Sequence, residues 1–381
     1  MSREFKVRSE DRYARHRIIE WWDQDKLLTA HVMVCGAGAV GNEVIKLLAL
    51  LGIGNVSIID FDTIEISNLT RAVLFRESDV GKKKAEVAAT RMQELNKDVK
   101  VEWIHGDLEF DIGMGVYRSM DSILGCLDSI DARLALNSIC MKVGVPWINA
   151  SIGAVSGEVA YYHPDEGGCY ECAMSDAMWL MRNSRFSCGW LKNLAPEKKI
   201  ATTATVASIA ASYMVNELLL QIHEGKKKNI GLRPGSKLYF CTKPYSFTLA
   251  ELPRSSDCYA HESATDVTIL ASKPDELTAL DLIQQTSPEE DTLLELGFDL
   301  AVSAICPVCG KKEQLLRPMK RYTTEVLQCP NCLGTDRQIQ TTSIGERESQ
   351  LATRPLAELS IPRYQILSVK CPTMRKYYQL S

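Results

Sequence analysis

An alternation of apolar β-type runs with longer helical runs between residues 29 and 153 limits the possible folds most. The β-type runs include HVMVCG, NVSIIDF, VKVEWIHG, DSILGCL and VPWINASIG, and GNEVIKLLALLG is helical in pattern. This alternation is typical of a parallel sheet with helices on both faces. We therefore predict an α/β fold with a mostly parallel, Rossmann-like sheet.

The remaining chain changes character after about Gly153. GEVAYYHP and KLYFCTKPYSFTLAEL are more antiparallel in pattern, and the apolar run 204–222 between them contains Asn216 and Glu217, which favours a buried helix over a membrane span. The length of 381 residues exceeds what one core usually holds. The predicted organisation is an N-terminal helical segment 1–28, an α/β domain 29–262 with a crossing loop near 175–203, and a C-terminal domain 263–381.

Charge and cysteine usage narrow the class of protein. The net charge of −4 gives no sign of a surface for nucleic acid. The charged N-terminus MSREFKVRSEDRYARHR lacks the apolar core of a signal peptide, so we expect a cytoplasmic protein that does not bind membranes. Several of the 13 cysteines form CxxC pairs, and in a reducing compartment such pairs favour metal binding over disulfides.

The stretch VCGAGAVG predicts a nucleotide-binding turn. It places Gly36, Gly38 and Gly41 after an apolar strand and at the start of a helix, where glycine lets backbone N–H groups approach phosphates. Asp60 ends the next strand, where a carboxylate can bind ribose hydroxyls. These features alone also fit an NAD-dependent dehydrogenase, or a tight turn with no ligand.

The residues that follow favour ATP over NAD. Asp62, Asn68, Arg71 and Lys84 form an ordered series after the ribose carboxylate, and a dehydrogenase needs no such charges. Arginine and lysine beside a glycine-rich turn suit a triphosphate that is attacked at its α-phosphorus, because they neutralise the leaving pyrophosphate. Asp128 follows another apolar strand, at the edge of the sheet where ligands bind, and could hold Mg²⁺.

The motifs GAGAVG, DFDTIEISNLTR, VGKKKAE and LDSIDARLALN occur in that order. Over about residues 12–262 the chain resembles the ubiquitin-activating-enzyme-like adenylyltransferases, the ThiF, MoeB and HesA group. The resemblance implies that Asp60 binds ribose, that Asn68, Arg71 and Lys84 contact the ATP phosphates, and that Asp128 coordinates Mg²⁺. It also implies that a C-terminal carboxylate, usually of a ubiquitin-like protein, is activated as an acyl-adenylate.

Two positions depart from the pattern of the family. Its members commonly have Gln and Asn where this sequence has Ala72 and Ser129. Neither change removes a charged group from the reaction, so we still expect the protein to use ATP. The two changes bear on how precisely the nucleotide is positioned.

The resemblance further implies a partner subunit and a nucleophile. In homodimeric members the second arginine of RYAR, here Arg15, reaches the ATP site of the partner subunit; the alternative is an exposed helix residue. Members that form a thioester or persulfide carry the active cysteine in a loop that corresponds to NSRFSCGWLKNLAPEKKIATT, which contains Cys188. Nearby basic residues would favour its thiolate, whereas Cys35, Cys126 and Cys140 lie in predicted core. The alternative is that Cys188 is an incidental thiol.

The C-terminal region contains a complete zinc-ribbon pattern over about residues 304–334. Two CxxC pairs are separated by nineteen residues and supply four thiolates, namely Cys306, Cys309, Cys329 and Cys332. A site filled by four protein ligands leaves no position for water, so we predict a structural zinc ion.

The pair Cys169 and Cys172 needs partners elsewhere. The resemblance places the second half of this site at RSSDCYAHES, with Cys258 and His261 in place of the usual CxxC, and Cys₃His is an acceptable zinc set. Two alternatives remain: Cys258 and His261 bind no metal, or the first pair shares a metal with Cys306 and Cys309. We predict two zinc ions per chain.

These features favour an enzyme that adenylates a ubiquitin-like protein with a C-terminal glycine and passes it through Cys188 to a conjugating enzyme. The region after residue 262 favours this hypothesis, because sulfur-transfer relatives usually end there or carry a rhodanese domain. The alternatives are a sulfur-carrier adenylyltransferase of the thiamine or molybdopterin type and a non-catalytic binding module of this fold.

Overall fold

The computed structural model describes residues 11–183, 201–224, 231–287, 291–346 and 349–381. The described chain forms two compact units. The first contains residues 11–108, 117–173 and 201–263, and the second contains residues 109–116, 174–183 and 264–381.

The first unit is built on an eight-stranded sheet. Its strands are β1 (His31–Cys35), β2 (Asn55–Ile59), β3 (Lys100–Ile104), β4 (Ser122–Gly125), β5 (Trp147–Ile152), β6 (Ser156–Tyr162), β7 (Ser236–Thr242) and β8 (Tyr245–Glu251). Their order is β3-β2-β1-β4-β5-β6-β7-β8; the first five are parallel and the last three join antiparallel. The predicted mostly parallel α/β sheet is confirmed.

Helices cover this sheet and contribute to the second unit. In chain order they are α1 (Gln24–Thr29), α2 (Ala39–Leu51), α3 (Lys84–Leu95), α4 (Met114–Arg118), α5 (Ile130–Val143), α6 (Asp176–Asn183), α7 (Ala204–Glu224) and α8 (Ala279–Thr286). By length and composition α7 could cross a membrane, but it packs against α2, β5 and β6 and half of its apolar window is buried. It is a core helix, as its polar interruptions predict.

Two segments differ from the sequence-based expectation. The N-terminal segment, where residue 11 is the first described, contains only a 3-10 turn at His16–Ile18 before α1. Its aromatic side chains favour packing over a continuous helix, since Trp22 lies 4.7 Å from His16 and 5.1 Å from His223 between ring centroids. The expected crossing loop begins as α6, whose start is capped by Ser175 through a 3.3 Å bond from the N–H of Met178.

The second unit contains a mixed sheet. Its strands are β9 (Thr268–Ile269), β10 (Leu293–Ile305), β11 (Lys312–Pro318), β12 (Gln338–Glu346), β13 (Ile366–Lys370) and β14 (Arg375–Gln379). The order is β11-β10-β13-β14-β9, and β12 also pairs with β10. Leucines of β10, α8 and β13 form its apolar core.

The segment 109–116 belongs to this second unit although it lies between β3 and β4 in the sequence. Phe110 packs edge-on against Phe298, with 5.8 Å between the ring centroids. Glu109 forms an ion pair with Lys320, in which Nζ and Oε1 are 2.6 Å apart. A Cβ on Gly113 would lie 2.1 Å from the carbonyl oxygen of Arg363, so this backbone approach requires glycine. The second unit thus combines the C-terminal region, from residue 264, with this segment and residues 174–183.

Candidate functional site

The glycine-rich turn lies between β1 and α2, at the carboxyl end of the parallel strands. Gly36 has a φ of +98°. A Cβ on Gly41 would lie 1.9 Å from the carbonyl oxygen of Gly36, so the turn itself requires glycine there. A Cβ on Gly38, the N-cap of α2, would meet no described atom within 4 Å. The start of α2 is therefore open to a ligand that approaches its N–H groups.

Asp60 joins the end of β2 to this turn. Its two carboxylate oxygens accept the N–H groups of Ala37 and Asp62, each at 2.7 Å. Burial raises the pKa of Asp60, and the positive charge of Lys84 opposes that rise. Each carboxylate oxygen keeps a further lone pair that a ribose hydroxyl could use.

Asp62 and Lys84 form an ion pair next to Asp60. The Lys84 Nζ lies 2.6 Å from Asp62 Oδ2, and the lysine side chain is only 12% exposed. The backbone N–H of Lys84 also donates to the carbonyl oxygen of Asp62 at 3.0 Å. The structure thus brings three of the predicted nucleotide residues together at one edge of the sheet.

Asn68 and Arg71 lie on the connection between β2 and α3. The Oδ1 atom of Asn68 accepts the N–H of Glu65 at 2.9 Å, and Arg71 donates to the carbonyl oxygen of Ser67 at 2.7 Å. Ala72, where the family commonly has Gln, is buried in the core of the unit. The alanine that replaces the family's usual Gln is therefore a core residue in this protein.

Asn42 ties this connection to the glycine-rich turn and was not singled out from the sequence. It is fully buried, donates to the carbonyl oxygens of Ala37 and Gly38, and accepts the N–H of Leu74 at 3.0 Å. A polar residue on the inward side of an otherwise apolar helical run was the available signal.

Asp128 lies just beyond β4 and is exposed. Cys126 donates its N–H to the carbonyl oxygen of Cys35 at 2.8 Å, so the chain that leads to Asp128 runs beside the glycine-rich turn. Ser129, the other departure from the family pattern, caps α5 by accepting the N–H of Ala132 at 3.1 Å.

The remaining residues singled out from the sequence are Arg15, Cys188 and three other thiols. Arg15 is exposed at the start of the 3-10 turn. Cys188 lies outside the described residues. Burial raises the pKa of Cys35, Cys126 and Cys140, that of Cys126 to about 12, so these three thiols are unsuited to nucleophilic attack.

The first predicted metal set comes together in the first unit. The ligand atoms of Cys169, Cys172, Cys258 and His261 all lie within 4.8 Å of one another. The Sγ of Cys169 lies 3.7 Å from that of Cys172 and 3.7 Å from that of Cys258, and Cys172 Sγ lies 3.4 Å from His261 Nε2. A tetrahedral zinc ion with bonds of about 2.3 Å places its sulfur ligands about 3.8 Å apart, so this set fits zinc.

The second metal set comes together in the second unit. The Sγ atoms of Cys306 and Cys332 are 3.5 Å apart, and those of Cys309 and Cys329 are 3.7 Å apart. These distances also fit a tetrahedral zinc ion. In the described residues no cysteine forms a disulfide. The pairing of Cys169 and Cys172 with Cys306 and Cys309 is excluded, because each cluster has four ligands of its own.

One helix, α5, connects the first metal set to the nucleotide edge, by which we mean the sheet edge with the glycine-rich turn, Asp60, Asp62, Lys84 and Asp128. The 3-10 helix Tyr259–His261 packs against α5, and Asn137 of α5 accepts the N–H of Tyr170 at 3.0 Å. Because α5 begins two residues after Asp128, this metal set is connected to the nucleotide edge by one helix.

Three curated relatives match parts of the chain. SUMO-activating enzyme subunit 2 of Dictyostelium discoideum is 37% identical over 149 residues, 39% of this chain and 22% of that protein. SAMP-activating enzyme E1 of Haloferax volcanii is 35% identical over 170 residues, 44% of this chain and 63% of that protein. Sulfur carrier protein adenylyltransferase of Thermus thermophilus is 35% identical over 170 residues, 42% of this chain and 63% of that protein. The matched part thus spans between about a fifth and two thirds of these proteins.

A solved structure and a family profile extend the comparison. The crystal structure of Escherichia coli MccB with ATP has a TM-score of 0.55 and 28% sequence identity, covering 67% of this chain and 75% of MccB. The profile of the ThiF family matches residues 11–255, which include the whole nucleotide edge and two of the four residues of the first metal set, Cys169 and Cys172. This protein therefore belongs to the ThiF family.

Proposed function

We propose that this protein is an ATP- and Mg²⁺-dependent adenylyltransferase that activates the C-terminal glycine of a ubiquitin-like or sulfur-carrier protein. The observation that carries the proposal is the cluster of the open glycine-rich turn, Asp60 and the Asp62–Lys84 ion pair at one sheet edge. The names of the relatives, SAMP-activating enzyme E1 and sulfur carrier protein adenylyltransferase, support it.

In the proposed reaction a carboxylate oxygen of the terminal glycine attacks the α-phosphorus of ATP, and the bond from that phosphorus to the bridging oxygen of pyrophosphate breaks. The N–H groups at the start of α2, with Arg71 and Lys84, neutralise charge on the phosphates and on the leaving pyrophosphate. Asp60 orients the ribose, Asn68 contacts the phosphates, and Asp62 holds the Lys84 ammonium group. Asp128 would hold Mg²⁺, which supplies further charge neutralisation.

The proposal is tested by ATP–pyrophosphate exchange that depends on an added protein ending in Gly-Gly. We expect exchange with at least one ubiquitin-like or sulfur-carrier protein, and no exchange when its terminal glycine is deleted. Tight ATP binding with no exchange for any such protein would favour a non-catalytic module instead.

We further propose that Cys188 captures the activated acyl group as a thioester and passes it to a conjugating enzyme. A thiolate attacks the acyl carbon and AMP leaves, so neither oxidant nor reductant is needed. The support is the match of its sequence context to the loop that carries the active cysteine in thioester-forming members.

We expect Cys188→Ala to abolish a thiol-sensitive, mass-shifted adduct while ATP–pyrophosphate exchange persists. The control is Cys241→Ala, a half-buried thiol of β7 outside both metal sets, which should keep the adduct. Intact-mass spectrometry with and without β-mercaptoethanol makes the measurement. An adduct that survives in Cys188→Ala would show that another residue is the nucleophile.

A homodimer with shared ATP sites is the proposed assembly. Arg15 is exposed and would enter the site of the partner subunit, so each site would use Lys84 of one subunit and Arg15 of the other. The RYAR motif supports this arrangement.

Co-expressing Arg15→Ala with Lys84→Met tests this arrangement. Each variant alone should be nearly inactive, whereas random mixing of the two should restore about a quarter of wild-type exchange, since half of the dimers then hold one intact site. If Arg15 acts within its own subunit, or not at all, mixing restores nothing beyond the mean of the separate variants.

A sulfur-carrier adenylyltransferase is the second candidate function. The Thermus thermophilus relative carries that name, and its matched length equals that of the SAMP-activating enzyme. Sulfur transfer predicts a persulfide-dependent thiocarboxylate on the carrier protein, which mass spectrometry distinguishes from a thioester on the enzyme. We further propose that both metal sets bind structural zinc and that the protein acts in the cytoplasm.

A further inference from the structure

The nucleotide edge contains a buried pair of hydrogen-bond donors that the reaction described above leaves unused. Arg133 of α5 is 8% exposed and Asn149 of β5 is fully buried. Arg133 Nε donates to Asn149 Oδ1 at 3.1 Å, and its Nη2 donates to the carbonyl oxygen of Leu127. Leu127 immediately precedes Asp128, so this pair lies at the end of β4, where the proposed magnesium ligand is found.

Arg133 is a buried cation whose described partners are all neutral. They are the carbonyl of Leu127, the amide of Asn149 and the hydroxyl of Tyr170. Burial raises the pKa of Tyr170, so its hydroxyl stays protonated at neutral pH. A guanidinium removed from water is costly unless an anion compensates it, and a bound anion would supply that compensation.

Asn149 provides a second donor with a fixed direction. Because Arg133 holds the Oδ1 atom, the Nδ2 group is the end left to donate. That Nδ2 is buried and has no hydrogen-bond partner among the described residues. An unpaired buried donor is destabilising, which indicates that a bound group completes it.

The burial of both donors limits the kind of anion they can receive. A phosphoryl group is bulky and keeps water and Mg²⁺ around it, which suits the exposed Asp128 better than this buried position. A carboxyl group at the end of a Gly-Gly segment is thin and planar, and one of its oxygens can accept more than one N–H group.

We propose that Arg133 and Asn149 bind one oxygen of the substrate's C-terminal carboxylate and thereby aim the other oxygen at the α-phosphorus. This inference rests on the proposed function and assigns the residues that recognise its acyl substrate. Attack forms the new oxygen–phosphorus bond as pyrophosphate leaves with its electron pair, and no proton is transferred. In the acyl-adenylate the held oxygen is the carbonyl oxygen, so the same donors stabilise the oxyanion that forms when a nucleophile attacks the acyl carbon.

Two stable compounds separate this subsite from the nucleotide site. One is 5′-O-(N-glycylglycyl)sulfamoyl adenosine, which resembles the acyl-adenylate, and the other is adenosine sulfamate, which lacks the acyl group. By calorimetry we expect wild-type protein to prefer the acyl compound at least about tenfold, because the buried donors are paired only by its carbonyl oxygen. Arg133→Gln should reduce that preference to below about threefold, with little change for adenosine sulfamate.

Asn149→Asp keeps the inference testable if Arg133→Gln fails to fold. The new carboxylate would pair with Arg133, so a purely structural role would be preserved and the melting temperature held or raised. We expect this variant to lose the acyl preference nevertheless, because the donor is gone and the guanidinium is neutralised internally. Asn55→Asp, at the start of β2, should leave both affinities unchanged.

The outcomes distinguish the role of Arg133 and Asn149 from the proposed function as a whole. Wild-type protein that binds both compounds equally, or an Asn149→Asp protein that keeps the acyl preference, overturns the inference alone. Wild-type protein that binds neither compound overturns the proposed function and the inference with it.

Discussion

Replacing Lys84 with methionine is expected to lower ATP–pyrophosphate exchange by about 10²–10³-fold, the usual effect of removing one group that stabilises transition-state charge. The Lys84 ammonium is only 12% exposed and is held by Asp62 at 2.6 Å, so it is oriented before ATP arrives. Methionine retains the side-chain length without the charge. The loss should fall mainly on kcat, because the charge on the leaving pyrophosphate is greatest in the transition state.

Lys83→Met is the matched control. Lys83 is the neighbouring residue, but its ammonium lies 5.5 Å from the centre of the Trp103 ring and is exposed. This variant should keep wild-type exchange and melting temperature. Equal losses in Lys83→Met and Lys84→Met would show that only the local net charge matters, and the assignment of Lys84 would then be wrong.

The pH dependence of Lys84→Met gives an independent measurement. Burial raises the pKa of Asp60 and the charge of Lys84 opposes this rise, so removing Lys84 raises that pKa further. If ribose binding needs the ionised carboxylate, AMP affinity falls as the pH drops through that pKa. We therefore expect the acidic loss of AMP binding to occur at higher pH in Lys84→Met than in wild-type protein.

The fold of the first unit was largely predictable because local patterns determine it. Apolar runs bounded by Gly and Asp correspond to β1, β2, β4 and β5, and their parallel pairing follows from the helices between them. The N-terminal segment was not predictable in the same way. Its aromatic residues pack on one another and on His223, which lies about 200 residues away in the sequence.

The residues of the site that come from short motifs were predictable, whereas residues fixed by tertiary contacts were not. Asp60, Asp62 and Lys84 lie within one motif series, so their proximity follows from the fold. Arg133 and Asn149 are sixteen positions apart and meet only because β5 pairs with β4. Nothing in the sequence distinguishes Asn149 from an ordinary strand asparagine.

The assignment of residues to the two units was not predictable from the sequence for the same reason. The segment 109–116 joins the second unit through Phe110 against Phe298 and the ion pair of Glu109 with Lys320, contacts that span about 190–210 positions. Local composition carries no information about such pairs. Metal ligands are the exception, because CxxC spacing already brings two thiolates within reach of one ion.

Cys329→Ser is expected to remove one of two zinc ions per chain and to unfold the ribbon of the second unit. Among the described residues, the apolar cluster beside the ribbon has two buried members, Ala301 and Met319, so we expect the metal to substitute for a core. Structural zinc in such small modules contributes about 10–16 kcal/mol of apparent binding free energy at neutral pH, far more than that cluster could. Native mass spectrometry counts the zinc, and hydrogen exchange across residues 306–334 reports the unfolding.

Cys258→Ala supplies the comparison that separates the two sites. This variant should also retain one zinc ion, but the ribbon should stay protected, since Cys258 lies 3.7 Å from Cys169 and belongs to the first unit. Cys241→Ser, outside both sets, should keep two zinc ions. A wild-type count of one, or loss of ribbon protection in Cys258→Ala and Cys329→Ser alike, would mean that the eight ligands do not form two independent sites.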